Sequence, residues 1–195
     1  MPLGTHKATL FGVAGVSTGD VVLLSTAVAS SDASIEFTLP TAYEQVKFGL
    51  YNLHPSAAPG PDFQFQVNAD SQTGYNETIT STNFRTYHAE DDSGSGVAYR
   101  TGDDQAQGTS YQTLFYEVDD EDDNGCCGEL ILYSPTSTTY VKHYVSRTVG
   151  MQPNATTKSD FSGGYINTTT NLSEIAFKFS SGNVDSGTIK MWGVK

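Results

Sequence analysis

Residues 175–195, IAFKFSSGNVDSGTIKMWGVK, carry the clearest structural signal in the chain. Ile175, Phe177 and Phe179 alternate with smaller or polar residues, which is the pattern of a β-strand that buries one face. Residues 182–187 supply glycine, asparagine and aspartate, the residue types that tolerate positive φ in turns. A second alternating run follows, so the stretch predicts a β-hairpin held in a sheet.

The same alternation recurs upstream and predicts an all-β fold. The predicted strands are 21–29, 34–39, 45–53, 62–68, 83–88, 111–118, 129–134 and 139–147. Residues 89–108 and 148–164 are predicted to be long polar loops, and no segment has a convincing helical period. About eight to ten short strands with tight turns favour an antiparallel β-sandwich, with a jelly roll as the expected connectivity.

The domain organisation expected from the sequence is simple. Residues 1–16 are small, glycine-rich and poorly periodic, which predicts an extended N-terminal arm, and 17–195 predict a single β-sandwich domain. Residues 8–29 resemble a signal peptide in part, but Asp20 and several glycines interrupt the apolar run. We therefore interpret them as arm and first strand. No run of about twenty apolar residues predicts a membrane span.

The net charge limits the possible partners. The chain has a formal charge of −12, with 22 Asp and Glu against ten Lys and Arg. An acidic surface repels nucleic acid and anionic lipid, so neither is an expected partner. The charge is also compatible with a soluble protein held at high local density.

Cys126 and Cys127 are the only cysteines, and they are adjacent. Neighbouring cysteines cannot join distant segments, and a ring between them is strained. Their spacing is not that of a zinc site. Free thiols are the prediction, with an inter-subunit pair or a vicinal disulfide as alternatives.

An acidic cluster at 117–125 raises the question of a metal site. Asp120, Asp122 and Asn124, followed by Gly125, match the first half of a calcium-binding loop, where oxygen ligands alternate before a turn-making glycine. The second half fails, because position twelve is Ile131. The alternative is a solvated loop whose charges discourage edge-to-edge pairing. Calcium at Asp120, Asp122 and Asn124 is the one cofactor hypothesis from the sequence.

No pattern in the sequence indicates an enzyme. There is no GxSxG elbow, HExxH motif, or glycine-rich phosphate-binding or dinucleotide motif. The four histidines, His6, His54, His88 and His143, are scattered and are interpreted as structural or surface residues. A lectin-like groove of exposed Tyr, Asn and Asp stays open as an alternative. We predict no catalytic residues.

Several segments together resemble a family of small β-rich proteins encoded by tailed bacteriophages, marine ones in particular. They are 26–37 (TAVASSDASIEF), 43–55 (YEQVKFGLYNLHP), 63–75 (FQFQVNADSQTGY), 128–135 (GELILYSP) and, most specifically, 175–195. The N-terminal arm, residues 84–110, the acidic cluster and the cysteine pair lie outside the resemblance.

The resemblance implies a non-enzymatic virion structural protein, made in the bacterial cytoplasm and located on the particle surface. Within that class we expect a capsid decoration or cement protein, because the chain has no coiled coil or shaft repeat. The arm would then add a strand to neighbouring capsomers or lie across them. The alternative is a tail-fibre or receptor-binding module that recognises glycans. Expected partners are the major capsid protein or tail proteins, and further copies of this chain.

Overall fold

The computed structural model describes residues 20–195, which form strands, turns and loops without a helix. Alternating buried and exposed side chains run along most of the strands, as the pleat of a β-strand requires. The twelve strands are β1 (Val21–Val28), β2 (Ile35–Thr38), β3 (Gln45–Pro55), β4 (Phe63–Ala69), β5 (Ile79–Ala89), β6 (Ser95–Tyr99), β7 (Gln112–Phe115), β8 (Cys126–Tyr133), β9 (Lys142–Gln152), β10 (Thr156–Ile166), β11 (Leu172–Phe179) and β12 (Val184–Val194).

The strands form two antiparallel sheets that pack face to face. The large sheet has eight strands in the order β1-β12-β3-β8-β9-β10-β5-β6, and the small sheet has four in the order β2-β11-β4-β7. The all-β class and the antiparallel sandwich predicted from the sequence are thereby confirmed. The predicted arm, 1–16, and the domain start at residue 17 lie outside the described residues.

The hairpin predicted at 175–195 is wrong, although both of its strands exist. β11 pairs with β2 and β4 in the small sheet, whereas β12 pairs with β1 and β3 in the large sheet. The connection between them therefore crosses from one sheet to the other. Both strands bury an alternating apolar set in the same core from opposite sides, and periodicity alone does not distinguish that arrangement from a hairpin.

Phenylalanine rings fill the space between the two sheets. Phe177 on β11 lies 5.2 Å from Phe48 on β3, measured between ring centroids, and stacks on Phe63 at 6.0 Å. Phe37 on β2 completes the cluster, 5.6 Å from Phe48. All four rings are buried. Large apolar rings packed at these distances contribute both buried area and ring–ring attraction to the stability of the sandwich.

The two long loops predicted from the sequence are wrong, because each contains strand. Residues 89–108 include β6, and residues 148–164 include the end of β9 and most of β10. β10 gives no hydrophobic period because its buried face consists of Thr156, Lys158, Asp160 and Ser162. A strand whose inner face is polar lacks the pattern on which sequence-based assignment depends.

Candidate functional site

The acidic cluster lies in the connection from β7 in the small sheet to β8 in the large sheet. Asn124 donates from its side-chain amide to Asp119 Oδ2 at 2.7 Å, and its backbone N–H donates to the carbonyl of Glu121 at 2.8 Å. Asp119 is buried, whereas Asp122 is exposed. These bonds close a tight turn. The Asp119 carboxylate and the Asn124 side-chain amide nitrogen are therefore already hydrogen-bonded within the loop.

The calcium hypothesis stays a prediction. Within residues 20–195, no three His, Cys, Asp or Glu side chains are grouped as metal ligands. A site at Asp120, Asp122 and Asn124 would therefore need amide or backbone oxygens in addition to its carboxylates. Asn124 already uses its amide nitrogen on Asp119, which leaves its carbonyl oxygen as the available ligand atom.

Next to this loop lies an open cleft of about 440 Å³, lined among others by Asn52, His54, Asp122 and Cys127. Cys127 Sγ accepts a hydrogen bond from the backbone N–H of Asn52 and donates one to its side-chain oxygen. The His54 ring bonds the carbonyl of Glu121 instead, at 3.2 Å. The thiol and the imidazole share the cleft, but each is bonded to another group, which is not the arrangement of a nucleophile and its base.

Both cysteines are free thiols in this structure. Cys126 is fully buried, and burial raises the pKa of its thiol far above the usual range. A buried thiol that resists ionisation behaves as a small apolar side chain rather than as a nucleophile.

A buried charge cluster lies on the inner face of the large sheet; we define it as Arg85, Tyr116, Lys158 and Asp160. Lys158 and Asp160 on β10 are only 2% and 1% exposed. The backbone N–H of Tyr116 donates to Asp160 at 3.0 Å, and its ring lies 4.7 Å from Lys158 Nζ and 5.5 Å from the guanidinium of Arg85. These contacts fix the segment that follows β7 onto β10.

The enclosure of this cluster shifts both ionisable groups on β10 towards their neutral forms. Burial raises the pKa of Asp160 to about 6 and lowers the pKa of Lys158 to about 8. Lys158 Nζ and Asp160 Oδ1 have no hydrogen-bond partner among the described residues. Because Lys158 and Asp160 are shielded from solvent, we assign the cluster an architectural role.

Asp160→Asn is expected to change how stability depends on pH. The folded-state pKa of Asp160 lies above its ordinary value of 3.8, so its contribution to stability is most favourable below about pH 4 and is lost as the pH rises to about 6. The free energy of unfolding of the wild type, minus that of the variant, should fall by about 2 kcal/mol between pH 4 and 6.5. Urea denaturation at the two pH values measures it, and an unchanged difference would contradict the raised pKa.

The outer face of the large sheet carries a cluster of exposed apolar side chains. On its β9-β10-β5-β6 half, exposed apolar side chains form what we call the insert patch: Phe84, Val97, Tyr99, Val145 and Val149, which are 43–72% exposed. Phe84 also stacks on Phe161 of β10 at 4.9 Å. Clustered exposed apolar groups of this kind mark interaction surfaces.

The other half of the same face holds what we call the aromatic pocket: Lys47, Gly49, Tyr51, Glu129 and Trp192, with Val21 and Gly128 at its border. Its volume is about 310 Å³. Lys47 and Glu129 form an ion pair there, and Trp192 is the only tryptophan of the chain. The pocket is at the small end of the range for ligand sites, about 300–1,000 Å³.

Around the aromatic pocket, the charge of the outer face is opposite to that of the whole protein. Lys47 and Lys190 share this region with one acid, Glu129, although the chain has 22 acids and ten bases. Arg147 and Gly49 lie opposite Glu129 on its two neighbouring strands, and Lys190 lies opposite Gly49. This part of the face is therefore locally cationic.

The sequence did not indicate this surface. The pocket residues come from β3, β8 and β12, which lie more than forty residues apart along the chain and meet only through strand pairing. The one local signal was the position of Tyr51 and Trp192 on the polar side of their alternating runs. An aromatic ring on the solvent side of a strand indicates a binding surface more often than one on the core side.

No protein-family model matches the chain, and a search of curated proteins finds no similar sequence. Within residues 20–195 there is also no helix long and apolar enough to cross a membrane.

Proposed function

We propose that the chain is a non-enzymatic structural protein of a tailed-bacteriophage virion, bound as a decoration or cement protein to the outer capsid surface. The observation that carries the proposal is where the resembling segments lie in the fold. Residues 26–37, 43–55, 63–75, 128–135 and 175–195 coincide with β2, β3, β4, β8, the greater part of β11, and β12. The resemblance therefore covers most of the sandwich frame.

The strand order supports the predicted jelly roll. Without β5, β6, β9 and β10, the large sheet is β1-β12-β3-β8 and the small sheet is β2-β11-β4-β7. We infer from this order an eight-stranded jelly roll built from two Greek keys. The other four strands are two inserted hairpins, β5–β6 and β9–β10, which pair with each other through β10 and β5 and widen the large sheet.

The inserted hairpins provide the surface that suits attachment to a capsid. They carry the insert patch, and no acidic side chain projects outward from their four strands. A broad apolar surface with little like-charge repulsion fits binding to another protein, in which affinity is spread over many contacts. Each further copy of this chain would attach to its own capsomer through the same patch and would therefore have the same orientation relative to the capsid.

An aspartate in the insert patch is expected to weaken attachment to the particle. Val97→Asp would place a charge on an apolar contact and should lower occupancy about tenfold at equal protein concentration. Val28→Asp is the matched control, since Val28 is 70% exposed and Val97 is 72% exposed, on opposite edge strands of the same sheet. Full-length protein is added to particles that lack it, and bound protein is quantified. Equal binding of both variants and the wild type would contradict attachment through the insert patch.

The alternative is a tail-fibre or receptor-binding module, and the aromatic pocket is the observation that favours it. Copy number distinguishes the two locations. A decoration protein should be present in hundreds of copies per particle, whereas a tail component should be present in a few to tens. Quantitative mass spectrometry of purified particles, calibrated on the major capsid protein, gives that number.

A further inference from the structure

We propose that the aromatic pocket binds an acidic saccharide, a pyranose ring that bears a carboxylate. This ligand goes beyond attachment to a particle and does not depend on it. Three features of the pocket carry the proposal: an exposed tyrosine and a half-buried tryptophan that meet over a glycine, a carboxylate beside them, and an excess of cationic side chains around them.

Gly49 allows the two aromatic side chains to close over the sheet. A Cβ at this position would lie 2.8 Å from a ring carbon of Trp192 and 2.9 Å from the hydroxyl of Tyr51. Tyr51 is nevertheless 45% exposed, so part of its side chain is accessible to a ligand. The C–H bonds of a sugar ring pack on such faces, because the face of an aromatic ring carries partial negative charge.

The polar groups of the pocket match the remaining parts of a uronic acid. Glu129 is ion-paired with Lys47, and the two side chains are 42% and 40% exposed, so both remain accessible to a ligand. The Glu129 carboxylate can accept hydrogen bonds from sugar hydroxyls, while Lys47 can donate to them or to a carboxylate.

The charge around the pocket selects an acidic sugar over a neutral one. Lys190 Nζ lies 5.5 Å from the centre of the Tyr51 ring, and Arg147 lies opposite Glu129 on the adjacent strand. With Lys47 and Lys190, two cations lie beside one carboxylate, on a protein whose total charge is −12, while the Arg147 guanidinium packs 5.5 Å from the centre of the Phe161 ring of β10. Only a locally cationic face would attract an anion to so acidic a chain, and this face meets that condition.

The same charges disfavour a symmetric pairing of two copies through this face. In a two-fold contact, the same surface of each chain faces the other. Lys47 and Lys190 would then face a partner surface that also carries two lysines and one acid, so the cations of the two chains would be only partly offset. A ligand that is itself anionic removes that repulsion.

Binding of uronate oligomers to the isolated full-length protein tests the proposal. Titration with alginate and polygalacturonate oligomers, followed by Trp192 fluorescence, should give saturable binding that neutral malto-oligosaccharides do not give. Tyr51→Ala should weaken binding about tenfold, as expected for the loss of one stacking partner. Lys190→Met should weaken binding of the uronates and reduce its salt dependence.

Tyr140→Ala is the matched control, because Tyr140 is 72% exposed and lies outside the pocket. It should leave binding unchanged. Three results would each overturn the assignment: neutral oligomers bound as tightly as uronates, no uronate bound at millimolar concentration, or a Tyr51→Ala variant that changes only self-association or particle occupancy. These titrations use no particles. A failure to bind uronates would therefore not bear on attachment through the insert patch, which the Val97→Asp experiment tests.

Discussion

Phe177→Ala is expected to lower the free energy of unfolding by about 3–5 kcal/mol, the range for loss of a large buried aromatic side chain. Phe177 is 0% exposed, and its ring contacts Phe48 of the opposite sheet as well as Phe63 and Phe37 of its own. Truncation leaves a cavity between the sheets that the rigid strands cannot fill. Urea denaturation followed by far-ultraviolet circular dichroism measures the change.

Phe84→Ala is the matched control for this substitution. Phe84 also stacks on a neighbouring phenylalanine, at 4.9 Å, but on the outer face of the large sheet, where it is 44% exposed. It should cost about 1 kcal/mol or less, since water replaces the lost ring without a cavity. Equal losses for the two variants would mean that Phe177 is not at the centre of the core.

Gly187→Ala is expected to lower the free energy of unfolding by about 2–5 kcal/mol, through backbone strain and steric overlap together. Gly187 has φ 114°, a conformation that disfavours any side chain. A Cβ there would lie 2.5 Å from the carbonyl oxygen of Asn52 and 2.8 Å from Cα of Leu53. Both contacts are backbone atoms of β3, so relief would require β12 to move away from its partner strand. The loss is measured as a lower midpoint of urea denaturation and a lower Tm.

Gly94→Ala is the control for this second substitution. No atom lies within 4 Å of a Cβ built at Gly94, and the residue sits in the exposed turn between β5 and β6. Its stability should stay within about 0.5 kcal/mol of the wild type. If Gly187→Ala were equally mild, the close approach of β12 to β3 at Gly187 would be wrong.

The frame of the fold was predictable from the sequence wherever a strand buries apolar side chains. Residues 45–53 and 62–68 were assigned correctly to within a few residues as β3 and β4, because alternating phenylalanine, valine and leucine mark their core faces. β6 was missed because its exposed side chains, Val97 and Tyr99, are the apolar ones. β10 was missed because its buried face is polar. In both, the usual relation between hydrophobicity and burial is reversed.

The surfaces were less predictable than the frame. The insert patch depends on the two hairpins that the sequence did not indicate, and the aromatic pocket depends on which strands pair. The acidic loop was visible in the sequence, and the structure places Asp122 and Asn124 beside His54 and Cys127 at the rim of one cleft. That proximity could not be inferred, because β3 and β8 become neighbours only in the large sheet.

Residues 175–195 illustrate the division between sequence and tertiary structure. The local pattern of residues specifies two strands there, each with one apolar face, because side chains alternate across a strand wherever the strand lies. That β11 and β12 belong to different sheets follows from the tertiary packing of the strands. Alternation specifies the face that is buried but not the partner that covers it. Pairing is selected by the packing of Phe177 against Phe48 and of the remaining core, which is a property of the whole chain.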